Sequence, residues 1–198
     1  MIEPRATYPP PMTGLMRTRD LQAMGYTRVA IASMTREGQI LRIARGLYAP
    51  ANYAPAQDAG LAQVASRSPK VVFCLLTALR LHGLTPQNPH EVWIAIDHKA
   101  RAPKIHYPPL HVIRSTQNLL HEGIESMTIE GDMNITVTDL GKTIADCFKF
   151  RHKIGLDVAM EALREAWNAK RITMDELHRY AKVCRVENVI RPYLESLT

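Results

Sequence analysis

Nowhere in this 198-residue chain do apolar residues run for the ~18–20 positions that a membrane-spanning helix needs. The opening Met1-Ile2-Glu3-Pro4-Arg5 lacks the apolar stretch of a secretory signal. Cysteine is scarce: Cys74, Cys147 and Cys184 are odd in number, far apart and without a CxxC pair. That spacing gives no disulfide framework and points to a reducing cytoplasm. Lysine is absent from the first fifty residues, where arginine carries all the positive charge. Low-complexity tracts and internal repeats are missing too.

Catalytic signatures are equally sparse. Gly141-Lys142-Thr143 resembles the end of a phosphate loop, but the required earlier glycine is replaced by Thr136. The triplet reads as a helix start with an exposed Lys142, and Asp146 as a capping or ion-pair residue. His82, His90, His98, His106, His111 and His121 are scattered without ligand spacing, so no metal and no cofactor are expected. No nucleophile elbow and no paired acidic motif is present, and the chain reads as a non-enzyme. A nuclease built on its later part is the enzymatic alternative.

What the chain does have is a core-forming 46% of hydrophobic residues, a net charge of +6 and an isoelectric point near 9.4. The charge is uneven. Through Pro50, Arg5, Arg17, Arg19, Arg28, Arg36, Arg42 and Arg45 stand against Glu3, Asp20 and Glu37, a local excess of four. Such a basic segment favours an anionic partner, with a merely solvated surface as the alternative.

Residues 1–12, with Tyr8-Pro9-Pro10-Pro11, read as an extended arm, because each proline removes a donor and restricts its predecessor. Thr18 is placed to cap a helix over Arg19–Met24 that Gly25 stops, and Thr27 to cap a second over Arg28–Glu37 that Gly38 stops. Two strand-like runs follow, Gln39–Ile43 and Leu47–Ala49, around the turn Ala44-Arg45-Gly46. Helix, tight turn, helix and basic hairpin in this order spell a winged helix-turn-helix. Ala49 to Pro55 reads as a linker with little to bury. The predicted fold is α+β: residues 1–55 hold the arm and winged helix, and residues 56–198 a mixed α/β domain with a helical C-terminal tail. Its elements are a helix from Ala56 to Ser66, strands near 71–74, 92–96 and 110–114, and a hairpin over 124–137 turning at Gly131-Asp132. Helices over about 75–82, 140–152, 156–169, 174–184 and 187–197 complete it.

Within the second helix, Ile31 and Met34 belong to a core stripe backed by Leu21 and Ile40. The opposite stripe carries Arg28, Val29, Ala32, Ser33 and Arg36. On major-groove docking, Arg28 would bond guanine and Val29 would meet a thymine methyl, with Thr27 capping the helix at a phosphate. Ser33 and Arg36 would meet phosphates, and Arg42 and Arg45 of the wing would anchor the backbone.

The run Met16-Arg17-Thr18-Arg19-Asp20-Leu21-Gln22-Ala23-Met24-Gly25-Tyr26-Thr27-Arg28, continuing through Met34–Gly38 to Ala44-Arg45-Gly46-Leu47-Tyr48, resembles the N-terminal domain of AbiEi-type antitoxins. Thr77–Leu84, ending in His-Gly-Leu, and Val137–Phe148 are similar to later motifs of that family. The resemblance implies an antitoxin of a bacterial type IV toxin–antitoxin, or abortive-infection, system. Such a protein represses its own operon at inverted repeats in promoter DNA, with room for a homodimer there, and opposes a nucleotidyltransferase-type toxin. A stand-alone regulator without a toxin is the alternative within the family. One departure is plain: family members usually carry a helix before the position of Arg17, where this chain has Ala6–Gly14 with three prolines.

Overall fold

Glycine turns and side-chain caps delimit the N-terminal elements. The computed structural model describes residues 12, 14–54, 57–85, 88–130 and 133–197; the expected arm, bar Met12, and the Gly131-Asp132 turn lie outside them. A two-residue strand, β1 (Met16–Arg17), leads into helix α1 (Thr18–Ala23). Gly25, at φ +97°, closes α1: its N–H donates to the Gln22 carbonyl and the next N–H, of Tyr26, to that of Leu21. This is a Schellman stop, and only glycine takes its left-handed residue without strain. Helix α2 (Arg28–Arg36) begins where the Thr27 hydroxyl accepts the Ala30 N–H at 3.1 Å. It stops in the same manner at Gly38.

Strands β2 (Ile40–Ala44) and β3 (Leu47–Pro50) form the expected hairpin across Arg45-Gly46, and β1 adds to its other side in the order β1-β3-β2. Ile31, Leu21, Ile40, Tyr26 and Met16 are buried together, with Met34 packed at the edge of the cluster. The expected core stripe of α2 is thus the one that packs.

Two details differ from the sequence expectation. Thr18 is the first residue of α1 rather than its cap. Asp20 accepts the Arg17 N–H at 3.2 Å, while Thr18 is drawn to the hairpin turn, its N–H donating to the Gly46 carbonyl at 3.0 Å. The stretch read as a linker from Ala49 begins inside β3, where Ala49 pairs with Leu41 and is fully buried. A two-residue strand such as β1 has no periodicity and was not legible at all.

The chain divides into two compact units, one of residues 1–69 with 128–134, the other of residues 70–127 with 135–198. Helix α3 (Ala59–Arg67) and the short segment 128–134 therefore belong with the N-terminal elements, although a boundary at 55/56 would assign both to the second domain. Glu130 fastens that unit: its carboxylate accepts the Tyr53 hydroxyl at 2.6 Å and the Asp58 N–H at 3.1 Å.

The second unit is mixed α/β. The five-stranded sheet has the order β6-β5-β4-β8-β7, made of β4 (Val72–Phe73), β5 (Val92–Asp97), β6 (Leu110–Ser115), β7 (Ile124–Ile129) and β8 (Met133–Thr138), of which the last two residues of β7 and the first two of β8 fall in the first unit. Pairing is antiparallel between β4 and β5 and parallel for β5–β6 and β4–β8. Helices α4 (Leu75–Leu81), α5 (Gln117–His121), α6 (Leu140–Lys149), α7 (Arg151–Ile154), α8 (Leu156–Asn168), α9 (Met174–Cys184) and α10 (Glu187–Glu195) complete it. The helix expected over 140–152 is interrupted at Phe150, so α6 and α7 are separate.

Helix α6 is central, with all eight residues from Gly141 to Phe148 buried. An alanine at Gly141 would place its Cβ 2.6 Å from the Tyr180 ring, so close packing of α9 explains this glycine. Lys142 is not the exposed lysine expected from its sequence context. It is 3% exposed, and its ammonium makes an ion pair with Asp146, one turn on.

Candidate nucleic-acid interface

The outer stripe of α2 starts at its N-terminal end, where Thr27, Arg28 and Val29 are all exposed. Val29 is 79% exposed, an apolar side chain that the fold leaves in water at the first turn of the helix. Ala32 and Arg36 continue the exposed face, while Ile31 on the opposite side is 2% exposed. The spacing of 3.6 residues per turn accounts for both faces. No acidic residue lies within Arg28–Arg36.

Ser33 is held differently from its neighbours. Its hydroxyl donates to Glu37 Oε1 at 2.7 Å, and the other carboxylate oxygen accepts from Gln39 at 2.9 Å. The stripe therefore ends in an anchored carboxylate beside Arg36. Neither Glu37 nor Gln39 was singled out in the sequence, because a Ser–Glu pair at i, i+4 is common on exposed helices.

On the hairpin, Arg42 and Arg45 are exposed, as expected of a charged wing. Leu41, Arg42 and Ile43 are all exposed in succession, and the register of β2 against β3 is irregular between Arg42 and Ala44. Strict alternation from buried Ile40 would put Leu41 and Ile43 outward and hide Arg42, which is exposed as well. Leu41 and Ile43 are 40% and 36% exposed and add apolar surface that sequence pattern had assigned to a strand without choosing a face.

Not every arginine of the basic segment contributes. Arg17 is half-buried, and burial lowers its pKa, with Arg19 acting in the same direction and Asp20 against it. Its Nη2 donates to the Asn134 carbonyl at 3.3 Å, and Arg19 lies 3.4 Å from Asp20. Arg5 lies outside the described residues. Arg19 is exposed but paired with Asp20; the exposed arginines of this segment without an ion pair among the described residues are Arg28, Arg36, Arg42 and Arg45, on α2 and the hairpin.

Among the described residues no three His, Cys, Asp or Glu side chains gather as a metal would require, and no helix is long and apolar enough to cross a membrane. The three thiols are buried and free.

The described N-terminal elements are thus a compact helix pair, α1 and α2, with a basic outer helix and a basic hairpin. Residues 13–51, which hold β1 to β3, match the model of the family described as transcriptional regulator, AbiEi antitoxin. The match covers the N-terminal run that carries the resemblance in the sequence; the later motifs, Thr77–Leu84 and Val137–Phe148, lie outside it. No curated protein matches the chain.

Proposed function

We propose that residues 14–50 form a winged helix-turn-helix that binds promoter DNA, with α2 reading the major groove and β2–β3 as the wing. The protein is then the antitoxin and autorepressor of a type IV toxin–antitoxin system, acting in the cytoplasm on inverted repeats and opposing a nucleotidyltransferase-type toxin. The observation that carries the DNA reading is the outer face of α2. Arg28 and an exposed Val29 occupy the helix's first turn, Arg36 is exposed at its other end and Arg42 and Arg45 on the hairpin, and no acid lies within the helix. A solvated surface has no need of an exposed valine at that turn, whereas a thymine methyl gives it an apolar partner.

In this reading Thr27 closes the helix N-terminus toward a phosphate, and Arg28 and Val29 contact base edges. Arg36, Arg42 and Arg45 meet the backbone. Ser33 serves indirectly, by holding Glu37. The antitoxin assignment rests on the family match over residues 13–51.

The test is a mobility-shift titration of the whole protein on the DNA upstream of its own gene, with and without magnesium. Retardation without cleavage is the expected result. Reproducible cutting that disappears in Asp146→Asn would replace this reading with a nuclease. Co-expression with a neighbouring nucleotidyltransferase-like gene, where one exists, checks the antitoxin half: growth should be restored. Retardation of DNA without any such rescue would leave the stand-alone regulator.

A further inference from the structure

The second unit contains a cavity of about 310 Å³ that the DNA reading does not use. That volume is at the lower end of the range typical of small-molecule sites. Its floor is formed by buried residues, among them Val72, Leu75, Ala95 and Ile113, and its rim by exposed Arg114 and Thr116 with half-buried Lys149 and Phe150. Lys142 and Asp146 form part of its wall.

Charge on this lining is lopsided. Arg114, Lys142 and Lys149 face it with Asp146 as the one carboxylate. That carboxylate is fully engaged, since one oxygen takes the Lys142 ammonium and the other accepts the Cys184 thiol at 3.3 Å. The Lys142 ammonium carries three N–H groups, and among the described residues Asp146 is its one hydrogen-bond acceptor. Two donors on a side chain more than nine-tenths buried are therefore left on the cavity wall.

At the rim, Arg114 is already positioned. Its Nη1 donates to the His98 and Ala100 carbonyls at 2.9 and 2.8 Å, which fixes the guanidinium and leaves Nε and Nη2 for another acceptor. Lys149 Nζ lies 5.7 Å from the centre of the Phe150 ring. Leu75, at the floor, holds a left-handed backbone (φ 48°), an uncommon conformation for a branched residue.

We propose that this cavity binds a small organic anion, its apolar body seated against Leu75, Ile113 and Phe150 and its carboxylate or phosphate head held by Arg114 and Lys149. Lys142 offers its remaining N–H groups to a second acceptor on the ligand. An apolar floor with a few fixed polar donors is the usual composition of such sites. The cavity is built wholly from the second unit, so this assignment stands or falls independently of the DNA reading.

Calorimetric titration of the full-length protein tests it, with benzoate and phenyl phosphate as probes and benzyl alcohol and inorganic phosphate as controls. At least one aromatic anion should bind saturably with a Kd of about 1 mM or tighter. The better of the two identifies the head group as carboxylate or phosphate. Lys149→Met should weaken that binding about tenfold, the effect of one charge-assisted hydrogen bond. Thr116→Trp, at an exposed rim position whose side chain makes no cap bond, should abolish it while leaving the melting temperature unchanged. Absence of binding by both aromatic anions overturns the proposal. So does equally tight binding of benzyl alcohol or inorganic phosphate, or unchanged binding in a folded Thr116→Trp.

Discussion

The Ser33 hydroxyl donates to Glu37 Oε1 at 2.7 Å, tying two residues across one turn at the C-terminal end of α2. A hydroxyl committed in this way is not a free phosphate donor, and the carboxylate it holds would face the DNA backbone beside Arg36. Glu37 should then weaken binding to every sequence alike. Glu37→Ala is expected to raise affinity for promoter and unrelated DNA by a similar factor, because it removes repulsion without touching base edges. Ser33→Ala should have little direct effect. Parallel titrations on the two DNAs would measure this, and a selective gain on the promoter would show that Glu37 acts on base recognition instead.

Arg45, at the tip of the hairpin, is expected to act through phosphate charge alone. Each neutralised phosphate contributes about −0.9 to the slope of log affinity against log salt. Arg45→Ala should make that slope shallower by roughly one unit and reduce affinity uniformly across sequences. Binding that is independent of salt would rule out the wing as a backbone anchor.

Much of the N-terminal fold was legible because local chemistry decides it. Thr27, Gly25 and Gly38 act within a few residues of themselves, and they mark the ends of α1 and α2 in sequence as they do in the structure. The Ile31–Leu21–Ile40 core followed from periodicity in the same way. What escaped depends on distant partners. Thr18 is diverted from capping by the Gly46 carbonyl, 28 residues away. Lys142 looks solvated in sequence, yet α6 is buried on every side and its charge is met one turn on by Asp146. The segment 128–134 joins the first unit through Glu130, whose partners Tyr53 and Asp58 lie more than seventy positions earlier. For the candidate site the outward stripe was readable, but the committed state of Ser33 was not, since it depends on which rotamers Ser33, Glu37 and Gln39 adopt together.

Arg28 is exposed at the first turn of α2 while Ile31, three residues on, is buried, and the two should fail in different ways. Arg28→Ala is expected to leave melting unchanged and to relax preference at one operator position, costing ~1–3 kcal/mol if a bidentate guanine contact is lost. Ile31, 2% exposed, fills the small core, and its truncation to alanine should cost ~2–5 kcal/mol of stability. Melting curves and a panel of base-substituted operators separate the two effects. A destabilising Arg28→Ala beside a silent Ile31→Ala would mean that the reading face has been assigned to the wrong side.

The buried pair of Lys142 and Asp146 makes the stability of the second unit depend on alkaline pH. Burial alone would lower the Lys142 pKa, but attraction to Asp146, aided by Cys184 and Cys74, outweighs it and the net shift is upward. Burial, reinforced by Asp146, also pushes the Cys184 thiol up from 9.0 to about 12. Both groups therefore hold their protons more tightly when folded than when unfolded. Their contribution is complete below the ordinary thiol value of 9.0 and is lost progressively as pH rises toward 12. Melting temperature should be flat in this respect near neutrality and should fall from about pH 9 upward. Asp146→Ala should remove ~3–5 kcal/mol by leaving the lysine charge buried and unpaired, and the double variant Lys142→Met/Asp146→Leu should recover most of that loss. A double variant as unstable as Asp146→Ala would indicate that the cost comes from packing around α6 and not from the unpaired charge.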